Sequence, residues 1–531
     1  MSQTYDYLVL GGGSAGCALA SRLSEDPNTS VAVIEAGKRG DNWIVNVPSA
    51  LVMTIPTGIN SRNLDTTPQS GLHGRLGYQP RGKVLGGSSA INAMVYIRGH
   101  KTDYDHWASL GNKGWSYDDV LPYFKKSEHN ETIHDEYHGQ DGPLWVSNLR
   151  TDNPAHQIYL EAARQAGYRV NHDFNGAEQE GLGVYQVTQQ GGERCSAARA
   201  YIHPWMGKRN NLNVELEALV RRVLFEGKRA IGVEIVQGGV TRILKARREV
   251  ILSAGAFHSP QLLMLSGVGD AATLQQFGIP VVHHLPGVGK NLQDHPDFIF
   301  GYKTKCLDFG GFSVPGAVKM LRDVGRYRRE RRGAFTSNFA ECGGFLKTSP
   351  DLAAPDLQLH FAIALVEDHA RKLRLGHGYS CHVCVLRPKS RGEVSLYNVD
   401  ASSAPKINPN FLAEESDVQT LVAGYKMTKA LLDAPAFDAV RGEDVFTAHV
   451  RTDDDIVNVL RERSDTVYHP VGSCKMGIDE MSVVDPQLRI HGLEGIRIVD
   501  ASIMPTLIGG NTNAPAIMIA EKAADMIKNG A

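Results

Sequence analysis

Short apolar runs closed by glycine or by charge open the chain. Tyr5–Leu10 and Val31–Glu35 are rich in β-branched and aromatic residues and predict strands, while Cys17–Leu23 between them has helical spacing. Together they predict a βαβ unit whose turn is the glycine-rich Gly11–Gly16. Gly37–Gly71 has weak periodicity and many turn formers, and Pro80–Gly99 sets four glycines around a short apolar stretch, the composition of a loop that touches a ligand. Helical patterning returns from Trp107 to Glu128, and Asn130–Gly142 is polar and loop-like. Leu212–Leu216, Ile231–Val236 and Val250–Leu252 predict a small sheet layered beside the βαβ unit, and Ala256–Leu265 predicts a helix. From about 300 to 465 the chain changes character. Long polar loops there separate β-rich pieces such as Leu357–Phe361 and Cys381–Leu386 from a helical stretch at Val418–Leu432. A strand at Ile496–Val499 and a helix at Ala514–Ile527, with Pro515 in its first turn, end the pattern.

At 531 residues the chain exceeds the roughly 250–300 at which single cores stop growing. Two connected domains are expected: 1–150, 200–300 and 466–531 forming one, 151–199 and 301–465 the other. The fold class is α/β, a discontinuous Rossmann-like domain beside an α+β substrate domain with an antiparallel sheet. Hydrophobic residues at 42% and charged residues at 21% describe an ordinary globular protein. A formal charge of −2 provides no global field for nucleic acid. No apolar run approaches the ~20 residues that span a bilayer. The polar start Met1–Asp6 runs straight into a strand and leaves no room for a secretory signal. With seven scattered cysteines, this gives a cytoplasmic expectation. Cys381 and Cys384 have metal-like spacing, but an offset of three along a strand points them to opposite faces. Lys319–Arg332 carries seven basic residues against Asp323 and Glu330. It reads as a solvated helical face, with peripheral contact to the inner membrane or access for a quinone as the sharper alternative.

Gly11-Gly12-Gly13-Ser14-Ala15-Gly16 fits G-x-G-x-x-G between a predicted strand and helix. Gly11 permits the tight turn, Gly13 admits backbone to a pyrophosphate, and Gly16 lets helix and strand pack closely. Ser14 and Ala15 lie in the turn before the helix whose N-terminus would meet the phosphate charge. Glu35 follows Gly16 by 19 residues, where a carboxylate accepts from both adenosine ribose hydroxyls and disfavours a 2′-phosphate. The motif does not separate NAD from FAD, which present the same ADP half. Gly12–Gly16 also spells G-x-S-x-G, but a hydrolase elbow follows several strands rather than the first. No His/Cys cluster has metal-ligand spacing.

Two longer segments carry a resemblance. Pro80-Arg-Gly-Lys-Val-Leu-Gly-Gly-Ser-Ser-Ala-Ile-Asn92 and Gly255-Ala-Phe-His-Ser-Pro-Gln-Leu-Leu-Met-Leu-Ser-Gly267 resemble the two signatures of the glucose–methanol–choline (GMC) oxidoreductases. Asn291–His295, His469–Gly477 and Val499–Pro505 resemble that family in its order, so the likeness covers the whole chain. Among its members the chain is most similar to bacterial alcohol dehydrogenases of alkane and polyethylene glycol degradation and to choline dehydrogenases. The resemblance implies FAD as cofactor. It places Ala36 beside Glu35 at the adenosine and Arg81, Gly82, Val84, Gly86, Gly87, Asn92, Ala93, Met94 and Val95 along the flavin and ribityl chain. Val220 would hold the adenine side through its backbone, Ala254 and Gly255 the pyrophosphate region, and Asp500 and Ala501 the far end of the ribityl group. Several relatives carry a covalently flavinylated histidine just before the position of Asn92; Ile91 stands there, so FAD is expected to bind non-covalently.

The resemblance makes His469 and Asn511 the catalytic pair. An imidazole with an ordinary pKa near 6.5 is largely neutral at physiological pH and suited to take a hydroxyl proton as hydride leaves the adjacent carbon for flavin N5. Asn511 would donate to the alcohol oxygen. Asn513 and Pro515 open the last helix, whose positive end would face reduced flavin, and the resemblance adds Thr512 to the cofactor contacts. His258 lies in the second signature and also reads as a helix start; His295 and His360 are not singled out as bases. The expected reaction is oxidation of a primary alcohol to an aldehyde, with electrons passing to a quinone or other acceptor. An O₂-using oxidase, a hydroxynitrile lyase and a nicotinamide dehydrogenase are the competing readings.

Overall fold

The computed structural model describes residues 3–372 and 374–530. Of the polar start, Met1 and Ser2 lie outside the described residues. Gln3–Leu10, the helix Ser14–Leu23 and Val31–Ile34 form the expected βαβ unit. The sheet continues on both sides in the order Leu212–Glu215, Val31–Ile34, Gln3–Leu10, Val240–Leu252, Arg229–Gln237 and Ala218–Glu226, with Ile496–Ile498 paired to the end of Val240–Leu252. Its parallel strands are unbroken apolar runs because both faces are covered: Leu8, Val9, Val31, Val33, Val250 and Ile251 have no solvent exposure. The last helix, Asn513–Lys528, packs against Ser14–Leu23, with buried alanines on both helices.

The segments between 212 and 252 do not form a separate layer, as their alternation suggested, but extend this same sheet. Val240–Leu252 serves three neighbours: Leu244–Leu252 pairs in parallel with Gln3–Leu10, Val250–Leu252 in parallel with Ile496–Ile498, and Val240–Lys245 antiparallel with Arg229–Gln237. The alternating, half-exposed hairpin therefore hangs from the end of a strand that is itself in the core. The helical pattern of Trp107–Glu128 resolves into two helices, Lys101–Ser109 and Tyr117–Ser127. Gly111 and Gly114, at φ 95° and 85°, adopt the left-handed backbone that breaks it. Helices at Ala155–Gln165 and Asp453–Arg463 had no counterpart in the sequence pattern.

A second, wholly antiparallel sheet runs Asp465–Thr466, Pro296–Thr304, Gly376–Val385, Leu357–Ala362, Ala340–Leu346 and Gly181–Val184. Leu357, Leu359 and Phe361 face one hydrophobic core with Leu421 and Tyr425 of the helix Glu415–Leu432. The alternate residues His360 and Ala362 reach a large cavity on the other side. Cys381 joins that core and Cys384 a different one, the opposite faces that an offset of three requires. All seven cysteines are free.

Candidate active site

Four parallel strands end at one place. Leu10 leads to Gly11, Ile34 to Glu35, Leu252 to Ser253-Ala254-Gly255, and Ile498 to Val499-Asp500, so chain segments hundreds of residues apart meet at the carboxyl edge of the sheet. That edge is where open α/β sheets bind nucleotides. A cavity of about 1810 Å³ opens there and extends to the second sheet. Small-molecule sites hold ~300–1,000 Å³, so this one has room for a dinucleotide and a substrate together.

Its walls suit FAD. A Cβ at Gly16 would lie 2.0 Å from the Gly11 carbonyl oxygen, which explains the close helix-to-strand packing. Gly11 has φ 107°, and a Cβ there would meet the Ser253 carbonyl at 2.5 Å. Neither Ser14–Leu23 nor Asn513–Lys528 has a side-chain cap or an acidic residue in its first turn. Both positive helix ends reach the cavity, joined by a hydrogen bond from Ser14 Oγ to Asn513 Oδ1 of 2.7 Å. Such uncapped ends are anion sites. Glu35 accepts from the Gly12 and Gly37 amides at 2.9 and 2.7 Å, and burial raises its pKa. Its remaining lone pairs suit ribose hydroxyls, whose donation would favour the ionised form.

Gly11, Gly13, Ser14, Ala15, Glu35, Ala36, Arg81, Gly82, Gly87, Asn92, Ala93, Met94, Val95, Val220, Ala254, Gly255, Asp500, Ala501, His469, Asn511, Thr512 and Asn513 all line the cavity. Gly16, Val84 and Gly86 stand behind its wall. The Gly86 amide donates to the Gly12 carbonyl at 2.7 Å and pins the second glycine loop to the first. Val84 packs with Val45 and Ala90. Asp500 Oδ2 accepts from the Gly255 amide at 2.9 Å and Ser259 Oγ at 2.6 Å, holding the start of the Gly255–Leu265 helix. Arg194, which the sequence reading passed over, is fully buried and donates to the Asn92 carbonyl at 2.7 Å and Asn92 Oδ1 at 2.8 Å. It fixes the loop on which Asn92 and Ala93 sit.

His469 and Asn511, 42 positions apart, are in contact: Asn511 Nδ2 lies 3.0 Å from His469 Nε2. The surrounding bonds settle which imidazole nitrogen is bare. His295 Nε2 faces two carbonyls, Leu386 at 3.1 Å and Ile508 at 3.2 Å, and must donate. Neutral His295 then has a bare Nδ1, so His469 Nδ1–H, 3.0 Å away, donates to it. The other end agrees. Tyr185 donates its hydroxyl proton to the Leu359 carbonyl at 2.6 Å, so Gln358 Nε2 is the donor toward Tyr185 at 3.3 Å and toward Asn511 Oδ1 at 2.9 Å. That leaves the Asn511 amide N–H directed at His469 Nε2, which must be the acceptor. Two chains of contacts thus leave Nε2 of neutral His469 without a proton.

His469 is held neutral. Burial pushes its pKa well below the ordinary value, reinforced by His295, His360 and Arg81. His295, His360 and His258 are depressed by burial to about 3. Asp294 receives the backbone amides of His295 and His469, both at 2.9 Å, and the Thr466 hydroxyl at 2.5 Å; burial raises it to about 6. Tyr468, just before His469, has φ 73° and is anchored by Arg81 Nη2 on its carbonyl at 3.1 Å. The turn presenting the base is therefore strained and over-determined. His258 borders the cavity 3.4 Å from Arg62. His295 and His360, not singled out as bases, join Arg194 and Gln358 as residues whose part in the site the sequence reading did not find. Neither Gln-Asp-His295-Pro-Asp nor Leu-His360-Phe tells from its residues what the imidazole faces. Neither ring nitrogen of His360 has a hydrogen-bond partner among the described residues, although the ring borders the cavity.

Comparison with known proteins agrees with this architecture. Family models described as GMC oxidoreductase match residues 5–297 and 388–520. "Alcohol dehydrogenase [acceptor]" of Pseudomonas putida is 46% identical, the match covering 98% of this chain and 95% of the relative. Mitochondrial choline dehydrogenase of Homo sapiens is 44% identical, covering 99% and 90%. The crystal structure of pyridoxine 4-oxidase from Mesorbium loti superposes with a TM-score of 0.89 at 28% identity over 99% of each chain. With the glycine cradle, the uncapped helix ends and the buried histidine in place, the chain belongs to the GMC oxidoreductases and is an FAD-dependent enzyme of that family.

Proposed function

We propose that the protein oxidises a primary alcohol to an aldehyde, with His469 Nε2 taking the hydroxyl proton. The observation that carries this reading is the pair of hydrogen-bond chains, through His295 and through Gln358 and Asn511, that leave Nε2 as the bare nitrogen. In the substrate complex the alcohol O–H would replace the Asn511 contact, donating to His469 Nε2 while Asn511 Nδ2 donates to the alcohol oxygen. The proton and the oxygen are then held by two fixed groups, and burial keeps the imidazole neutral and receptive. FAD, when bound, accepts the hydride that leaves the carbinol carbon.

Glu35 and Ala36 would hold the adenosine, Gly13–Ala15 and Ala254–Gly255 the phosphates, Val220 the adenine side, and Asn92–Val95 with Asp500 and Ala501 the flavin and ribityl chain. Ile91, buried at the cavity wall, has no nucleophile for a covalent bond, which supports non-covalent FAD. Electrons then pass to a quinone or another acceptor, a reading favoured by the name of the Pseudomonas relative. Use of O₂ is the second reading, because a structural neighbour is an oxidase. The seven free thiols fit the reducing cytoplasm.

The test is the visible spectrum of the holoenzyme mixed anaerobically with a medium-chain primary alcohol, then given quinone or air. Bleaching restored quickly by quinone and slowly by air supports the dehydrogenase. Fast recovery in air makes it an oxidase, and failure of a series of alcohols to bleach the flavin overturns alcohol oxidation and leaves a lyase.

A further inference from the structure

The basic stretch seen in the sequence lies on the helix Val314–Glu330, and this helix is built the wrong way round for a soluble surface. Val314, Val318 and Leu321, spaced i, i+4 and i+7 on one stripe, are 82%, 51% and 75% exposed. The cavity side of the same helix mixes polar and charged residues, Lys319, Asp323, Arg326 and Arg328, with Gly316, Met320, Val324 and Tyr327. An amphipathic helix docked on its own core shows the reverse arrangement.

Its charges divide in the same way. Lys319 pairs with Asp308, Arg326 and Arg332 with Asp152, and Arg331 with Glu193. Arg322, Arg328 and Arg329 are exposed and have no acidic partner among the described residues. The cavity rim adds more apolar surface from separate segments: Trp43 (59%), Met53 (41%), Met320 (50%) and Leu375 (88%) are exposed and line the opening.

We propose that this helix and rim dock on an anionic phospholipid surface. Val314, Val318 and Leu321 enter the boundary of the acyl chains, and Arg322, Arg328 and Arg329 rest among the headgroups. No helix among the described residues is long and apolar enough to cross a membrane, so the contact is peripheral. A second copy of the chain fits poorly, because a two-fold contact through this stripe would bring unpaired arginines against one another. A protein seated on the rim would plug the cavity, whereas a fluid lipid layer leaves it open to alcohols and acceptors dissolved in the bilayer. That last consequence rests on the proposed function; the docking itself rests on the surface alone.

The experiment is co-sedimentation of the full-length holoenzyme with phosphatidylcholine vesicles, with and without phosphatidylglycerol. Binding is expected only with phosphatidylglycerol and should weaken with added salt. Arg322→Gln with Arg329→Gln should reduce partitioning on the order of twenty-fivefold, about fivefold per arginine. Val314→Ser with Val318→Ser and Leu321→Ser should reduce it by more than about tenfold, since each buried methylene contributes roughly a factor of four. Retained FAD absorbance shows that the variants fold. A wild-type protein that stays in solution, or variants that sediment like wild type, would overturn the proposal. A serine variant that changes only the mass in sedimentation equilibrium would assign the stripe to self-association instead. No arm uses turnover, so failure here leaves the alcohol-oxidation reading untouched.

Discussion

Replacing His295 with alanine tests the orientation of the base without touching the base. His295 is fully buried and takes the His469 Nδ1 proton at 3.0 Å. In the variant that N–H has no acceptor. An unsatisfied buried donor costs about 1–3 kcal/mol, so the tautomer with bare Nε2 loses about 5- to 150-fold in population relative to the one with bare Nδ1. The rate of anaerobic flavin bleaching at saturating alcohol is expected to fall by that factor, while FAD stays bound. Truncation also removes a group that lowers the His469 pKa. The acid limb of the rate profile should therefore move up in pH, because a base of higher pKa is protonated sooner as pH falls. His295→Asn restores an acceptor close to the old Nδ1 position and should recover part of the rate. If His295→Ala bleaches as fast as wild type with an unmoved acid limb, the tautomer assignment is wrong.

Three other outcomes follow from the same geometry. His469→Ala should keep FAD but oxidise alcohol ~10²–10⁴-fold more slowly, as expected for loss of a general base; near-normal turnover would remove its assigned role. Gly16→Ala puts a Cβ 2.0 Å from the Gly11 carbonyl, so the strand–helix turn must move. The expected loss is about 1–3 kcal/mol or more in denaturant midpoint, together with FAD retention on gel filtration, and a fully flavinylated variant of wild-type stability would contradict it. Finally, His258, His295 and His360, held at about 3, stay unprotonated in the fold while the unfolded chain gains protons below about pH 6.5. Stability must then fall as pH drops from 6.5 toward 3. At about pH 5.5 these three and His469, depressed in the same way, cost about 5–6 kcal/mol, while Asp294, raised to about 6, and His138, raised to about 9, together offset about 3 by holding protons in the fold. Urea unfolding of the FAD-free protein should show a net loss of about 3 kcal/mol between pH 8 and 5.5, and unchanged or greater stability in acid would refute this.

The sequence by itself determined the nucleotide cradle. Gly11, Gly13, Gly16 and Glu35 are set by local rules: a turn of positive φ, a helix that approaches within a Cβ of a carbonyl, and a carboxylate at the next strand end. Local rules act over a few residues, so they can be read from the chain. The family likeness carried His469 and Asn511, and the structure brings them within hydrogen-bonding distance. Tertiary structure decided everything that depends on which face of a strand meets the cavity. Leu357–Ala362 alternates apolar and polar residues, which separates Gln358 and His360 from Leu357, Leu359 and Phe361, but the strand is buried throughout, and the alternation does not tell that the polar face meets Asn511 and the cavity rather than solvent. His295 closes a segment that carries the family likeness, but its contacts were not legible there, because they come from two carbonyls and an imidazole contributed by residues 386, 508 and 469. The small sheet expected beside the βαβ unit failed for a related reason: pairing along Val240–Leu252 is a long-range choice between neighbours, and short alternating runs do not encode their partner. The family likeness picked out His469, but which of its nitrogens is bare was fixed only when distant backbone carbonyls closed around His295.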